Sequence, residues 1–345
     1  MDDPTAPLRR RAAALLLPLV LTLGAGCARE PDVVLYCALD QVFSEELVRE
    51  FERETGLVVR AEFDVEAQKT VGLVTRLREE RARPRCDVFW NNEIAHTVAL
   101  AEEGLLAAYD SPAAADIPER WRDPERRWTG FAARARVFIV NTELADPAEI
   151  KGLDDLLDLR WAGKVCMARP LTGTTLTHVV ALYVGWGEER TRAWLERATA
   201  EGSPLSFVQS NGQVMRLVRE GRMAWGLTDT DDFRVAQAMG FPVEAVFPDQ
   251  GEGGEGTLLI PNTVAVLADA PHPEAARQLV DFLLSREVEA RLAASDSAQI
   301  PVREGVERPP HVADAGALVL REVDWAAVAR ELAPRTRELA ELFLR

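Results

Sequence analysis

Several chemistries are short of residues in this chain. Histidine occurs four times, at His96, His178, His272 and His311, and none stands in a nucleophile–base motif; Gly-x-Ser-x-Gly and His-Glu-x-x-His are both missing. No hydrolytic or zinc-dependent catalysis is nominated, so the expectation is a protein that is not an enzyme. His178 lies among apolar residues of a helical pattern and reads as a structural histidine. Cysteine also occurs four times, at Cys27, Cys37, Cys86 and Cys166, with spacings that fit no zinc site. The last three adjoin apolar, strand-like runs, which suits buried free thiols, with one disulfide as the alternative. Positive charge is in deficit: 40 Lys and Arg against 56 Asp and Glu leave a net charge of −16. That balance argues against nucleic acid and anionic membrane surfaces as partners. Tyrosine is limited to Tyr36, Tyr109 and Tyr183.

One long apolar run is present, at the N-terminus. Arg9, Arg10 and Arg11 precede Ala12–Leu23, which has the length of a signal-peptide core and is too short to span a bilayer. Leu23-Gly24-Ala25-Gly26-Cys27 then has the shape of a lipobox, with Cys27 as the acylated residue; ordinary signal cleavage nearby is the alternative. Residues 1–27 are therefore expected to direct export, giving a periplasmic protein that touches the membrane only through a lipid anchor. No later run is long and apolar enough to cross a bilayer.

The remaining length, with 47% hydrophobic and 28% charged residues, suggests two globular domains. Short apolar runs at Val33–Ala38, Leu57–Phe63 and Asp87–Trp90 alternate with helical patterns from Ser44 to Gly56, Gln68 to Arg81 and Ile94 to Glu103. Such alternation predicts a parallel α/β sheet. Ligands in these sheets sit beyond the carboxyl ends of the strands. That rule selects Leu39-Asp40-Gln41, Asp64-Val65-Glu66 and Asn91-Asn92-Glu93. The pattern restarts after a strand at Ala135–Val140, with a strand ending at Ala168, a helix at Leu176–Val184, a strand at Leu205–Val208 and a helix at Gly212–Glu220. Thr257–Leu267 would return the chain to the first domain, and Pro273–Ala294 and Trp325–Leu344 read as helical.

Two stretches carry candidate chemistry. Leu171-Thr172-Gly173-Thr174-Thr175 opens a helix and offers free N–H groups and hydroxyls to an anion; it lacks the lysine and spacing of a Walker loop, and simple capping by threonine is the alternative. Trp225-Gly226-Leu227-Thr228-Asp229-Thr230-Asp231-Asp232-Phe233 reads as strand end, loop and helix start. One aspartate suffices for a cap, whereas three form a patch of hard oxygen donors for a cation or an organic cationic group. Arg134 and Arg136 lie two apart on a strand and so share a side. Trp90 and Phe233 are available either to a ligand or to the core.

Four separated blocks then carry a resemblance: Asp87–Glu93, Arg134–Thr142, Leu156–Val165 and Ala275–Leu284. In this order they resemble the ferric-iron-binding class of extracellular solute-binding proteins that serve ABC importers, over about Val33 to Val302. The resemblance implies a two-lobed, type II periplasmic-binding-protein fold with two hinged sheets of parallel and mixed strands. Its lobes would be 32–136 with 264–345, and 137–263. It implies a monomer partnered by an ABC permease, with no resident cofactor and iron(III) or another metal as cargo. Iron-binding members carry two adjacent tyrosines where this chain has Asp231 and Asp232, and often a histidine where it has Asp40 and Gln41. Glu93, Asp231 and Asp232 are the resulting metal-ligand candidates, and Asp40, Asn92 and Asp229 join them in the ligand-binding set. Thr172, Gly173, Thr174 and Arg134 are assigned to a negative group. The alternative cargo is a phosphorylated or amino-bearing organic solute in the same cleft.

Overall fold

The computed structural model describes residues 30–64 and 71–344. Residues 1–29, which hold the predicted export signal and Cys27, and Val65 and Glu66 of the second predicted loop lie outside that range. The first sheet contains β1 (Val33–Cys37), β2 (Val59–Phe63) and β3 (Val88–Asn91), with α1 (Gln41–Thr55), α2 (Val71–Glu79) and α3 (Ile94–Glu102) between and after them. A short β4 (Leu106–Ala107) and the 13-residue β5 (Thr129–Asn141) follow. The second sheet is built from β6 (Val165–Ala168), β7 (Leu205–Val208), β8 (Trp225–Asp229) and β9 (Val243–Val246), with α4 (Gly173–Trp186), α5 (Glu188–Thr199), α6 (Asn211–Arg219) and α7 (Thr230–Ala238). The chain then returns through β10 (Leu259–Leu267) to α8 (Pro273–Leu283), α9 (Arg286–Ala294) and α10 (Trp325–Phe343).

β5 belongs to both sheets. Its first half pairs antiparallel with β10, from Ala135 against Leu259 to Thr129 against Val264. Its second half pairs antiparallel with β8, beginning at Arg136 against Asp229, and with β9 on the other edge. One sheet thus runs β2-β1-β3-β10-β5 and the other β7-β6-β8-β5-β9, the same order twice. Within each, the strands β1, β2, β3 and β6, β7, β8 are parallel and the crossing strands antiparallel. The carboxyl ends of the parallel strands of both sheets open on one cleft, as expected for doubly wound sheets.

The central strands are buried on both faces, as β1 and β5 show throughout their length, whereas the edge strands β2, β7 and β9 are partly exposed. Trp90 and Phe233 belong to this core and do not reach the cleft. Cys37, Cys86 and Cys166 are buried free thiols, and burial raises the pKa of each. Among the described residues no helix is long and apolar enough to cross a membrane. α10 packs against both α3 and α4, burying Trp325, Val328, Leu332 and Leu339.

Local chemistry moves some predicted boundaries. The helical stretch Pro273–Ala294 is made of two helices, because Ser285 starts a new one by accepting from the Val288 N–H at 3.2 Å. No loop separates β8 from α7: Asp229 ends the strand and Thr230 begins the helix. Gly226 in β8 has no room for a side chain, since a Cβ there would stand 2.5 Å from the Cys166 carbonyl oxygen and 2.7 Å from Val214 Cγ1. Gly226→Ala is therefore expected to lower unfolding free energy by about 1–3 kcal/mol in urea denaturation, by prising β8 from β6 and α6.

Candidate functional site

The cleft has a volume of ≈ 730 Å³. All ten sequence-predicted ligand-binding residues line it: Asp40, Asn92, Glu93, Arg134, Thr172, Gly173, Thr174, Asp229, Asp231 and Asp232. Five helices have a described cap residue at its wall, where Asp40 precedes α1, Glu93 precedes α3, Thr172 precedes α4, Ser210 precedes α6 and Asp229 precedes α7, and the described part of α2 begins there at Val71. Helix N-termini carry partial positive charge, so the cleft is polarised toward anions by its backbone and toward cations by its aspartates.

At the centre of the second sheet's edge lies a buried ion pair. The β5–β8 register sets Arg136 opposite Asp229, and Arg136 Nη1 donates to Asp229 Oδ1 at 2.7 Å, with the arginine 0% and the aspartate 3% exposed. Arg136 also donates to Thr174 Oγ1 at 3.1 Å, to Thr175 Oγ1 at 3.2 Å and to His178 Nδ1 at 3.5 Å. Asp229 Oδ2 accepts from Thr174 at 2.6 Å and from Asn211 Nδ2 at 2.9 Å. Asp229 thus makes no side-chain cap on α7; its carboxylate is held by β5, α4 and α6. His178 receives a hydrogen bond at Nδ1, and burial together with the Arg136 and Arg321 charges holds its pKa well below the usual range, so it stays neutral.

Thr174 and Thr175 lie in the first turn of α4 rather than in a preceding loop. Gly173 permits this by taking φ +60, a left-handed conformation that disfavours any side chain. Thr172 stands exposed before the helix and makes no cap bond of its own.

Asp231 and Asp232 occupy the first turn of α7, and one oxygen from each of Asp229, Asp231 and Asp232 falls within a 4.8 Å group. Burial raises the Asp232 pKa to about 8, helped by the neighbouring Asp231 and Asp229 charges; the Thr228 hydroxyl, donating at 2.8 Å, works in the opposite direction. Arg134 reaches Asp231 Oδ2 at 3.5 Å. Burial opposes the Arg134 charge, but Asp231, Asp229, Asp40 and Asp232 outweigh it and raise its pKa. Glu93 is 1% exposed and turned toward the protein. Its oxygens accept from the Ala95 and His96 N–H groups at 3.0 and 2.9 Å and from the Thr177 hydroxyl at 2.8 Å. No tyrosine reaches the cleft, since Tyr36, Tyr109 and Tyr183 bond to Glu80, Asp281 and Glu338 elsewhere.

The cleft also holds Arg169, Gln209, Ser210, Asn211 and Gly212, which the sequence reading did not single out. They follow the carboxyl ends of β6 and β7, so the strand-end rule applied to the second sheet would have found them.

The bacterial extracellular solute-binding protein family matches residues 46–319. The chain is a bacterial extracellular solute-binding protein. Among its relatives, iron uptake protein A1 of Synechocystis sp. is 27% identical over 321 residues, covering 90% of this chain and 87% of that protein. A Salmonella typhi periplasmic protein named for 2-aminoethylphosphonate binding is 29% identical over 259 residues, covering 74% and 73%. The crystal structure of iron-bound HitA from Pseudomonas aeruginosa superposes with a TM-score of 0.78 at 26% identity, covering 89% of this chain and 98% of HitA. The binding protein shares with it the two-lobed fold.

Two measurements probe this electrostatic arrangement. Replacing Arg136 by Met strands the buried Asp229 charge and is expected to cost about 3–5 kcal/mol of stability in denaturant unfolding. Asp232 titrates at about 8 in the folded solute-binding protein against 3.8 in the unfolded chain. A raised acid pKa means the folded state holds the proton longer, so this residue lowers stability progressively as pH rises from about 4 to about 8. Asp232→Asn should flatten that slope and raise the melting temperature at pH 8.

Proposed function

We propose that this protein is the periplasmic solute-binding component of an ABC importer and that its cargo is iron(III) or a related hard cation. The reading rests on one observation: three carboxylates, Asp229, Asp231 and Asp232, gathered at one end of the cleft, with Arg136 paired to Asp229 and Arg134 to Asp231. Carboxylate oxygens suit hard cations, and a cation there would offset the burial and the carboxylate repulsion that raise the Asp232 pKa. Asp231 and Asp232 are the donors. Thr172, Gly173 and Thr174, with Arg169 beside them, would hold an accompanying anion, and Asp40 and Asn92 complete the opposite wall. The name of the Synechocystis relative supports the iron reading.

The lobes move as two bodies about the β5 crossing. The pairing of Leu259 with Ala135 supports drawing the return boundary at the start of β10 rather than at residue 264. Residues 1–27 serve export, Cys27 carries the lipid, and the mature protein works as a monomer that delivers to a permease and catalyses nothing.

A second reading is favoured by the absence of any tyrosine from a cleft this large. A dipolar organic solute would place an ammonium at Asp231 and Asp232 and a phosphate or phosphonate at the N-termini of α4 and α6. The Salmonella relative's name supports that class.

Native mass spectrometry with elemental analysis, on protein purified without chelator, separates the two. One metal per chain is expected; a metal-free protein carrying a small organic mass would transfer the assignment to the second reading. Asp231→Ala/Asp232→Ala is expected to weaken binding of the identified cargo at least about a hundredfold, consistent with loss of two charged contacts, without lowering the melting temperature.

A further inference from the structure

Glu93 was expected to face the ligand, yet its carboxylate is committed within the protein. Beyond the three donors already described, Asn91 Nδ2 lies 3.5 Å from Oε1 and donates to the Glu93 carbonyl at 2.6 Å. Asn91 also donates to Thr97 Oγ1 at 3.0 Å, and Thr97 shares a 2.7 Å hydroxyl bond with Thr263 of β10. Thr263, Thr97 and Asn91 are all 0% exposed, and Thr177 is 2% exposed. A buried polar chain therefore runs from β10 through α3 to α4. Its last link, Thr177 to Glu93, is the one that passes from the first lobe to the second.

The surroundings of that link are those of a pivot. α10 lies across α3 and α4 together, pairing Arg330 with Glu102 of α3 at 3.3 Å and Glu338 with Tyr183 of α4 at 3.1 Å. Thr177 sits one turn into α4, directly after the hydroxyls of Thr174 and Thr175 and before His178, so its position is fixed to the Arg136 network. A buried carboxylate with its acceptors filled gains little from a solute and loses much if any donor leaves.

We propose that Glu93 is a positioning residue rather than a solute ligand: its bond to Thr177 ties the two lobes at the floor of the cleft and biases the open–closed equilibrium toward the closed form. The inference rests on the reading of the cleft as the solute site. It assigns the tie to a single hydroxyl, and a shift of the lobe equilibrium then follows from its removal.

The test uses Thr177→Val, which keeps the shape and removes the donor, Thr177→Ala, which cannot clash, and Thr177→Ser, which keeps the hydroxyl. Small-angle X-ray scattering of the full ligand-free protein is expected to show a larger radius of gyration for the Val and Ala variants and wild-type scattering for Ser. With ferric citrate as the probe, iron(III) dissociation should quicken roughly three- to tenfold in Val and Ala, the factor for one lost hydrogen bond. Wild-type scattering from both Val and Ala would overturn the proposal. So would unchanged dissociation in Val and Ala alongside loss of iron binding in Glu93→Gln, which would make Glu93 a ligand. The scattering comparison uses no ligand, so it decides the inference even if the protein proves not to bind iron.

Discussion

The cleft depends on the ion pair between Arg136 and Asp229. It forms where β5 stops pairing with β10 and starts pairing with β8, so it marks the point at which one lobe gives way to the other. Two charges this deeply buried are tolerated only if the rest of their hydrogen-bonding capacity is met. Thr174, Thr175 and His178 of α4 and Asn211 of α6 meet it. The consequence is geometric: the N-termini of α4 and α6 are anchored to the end of β8 by the groups that solvate the pair. The anion-favouring edge of the cleft and the acidic edge are thereby held in one frame, and neither can shift without the other.

The same pair divides the labour among three aspartates adjacent in sequence. Asp229 is compensated and faces inward. Asp231 has Arg134 at 3.5 Å, and Asp232 accepts from the Thr228 hydroxyl and keeps a raised pKa although the Arg134 charge acts on it too. Capping of α7 does not explain them, because Asp229, at the cap position, makes no side-chain cap bond. The acidic first turn is favourable to α7's dipole, yet burial and the neighbouring carboxylates still raise the Asp232 pKa.

Much of this was legible in the sequence. Apolar runs of strand length, helical periodicity and the strand-end rule located the cleft and all ten of its predicted residues. What remained hidden depended on pairing rather than pattern. Arg134 and Arg136 share a strand face, and only the β5–β8 register shows that the second is the buried partner of Asp229 while the first reaches the cleft. Glu93 lines the cleft as a polar residue after a strand, but the bonds its carboxylate makes to α3 and Thr177 could not be read without knowing that α4 packs there. The first turn of α4 was placed three residues late because Gly173 reads as a loop residue, although its positive φ starts the helix. Ser210 and Asn211 obey the strand-end rule as well as Asp40 does, but they carry no charge to draw notice.

Charge balance limits what this cleft can accept. Asp231 and Asp232, with Arg134 beside them, sum to about one negative charge when both are ionised. A bare trivalent ion would leave about two positive charges among five helix N-termini whose partial charges are also positive. In the iron(III) reading such an ion needs a multivalent anion at its side, and Thr172, Gly173, Arg169 and the start of α6 line the same cleft, with Gly212 of α6 next to Asp232. A dipolar organic solute satisfies the same requirement within one molecule. In both proposed readings the cargo's positive end faces α7 and its negative end faces α4 and α6, and the charge balance asks for the two ends together.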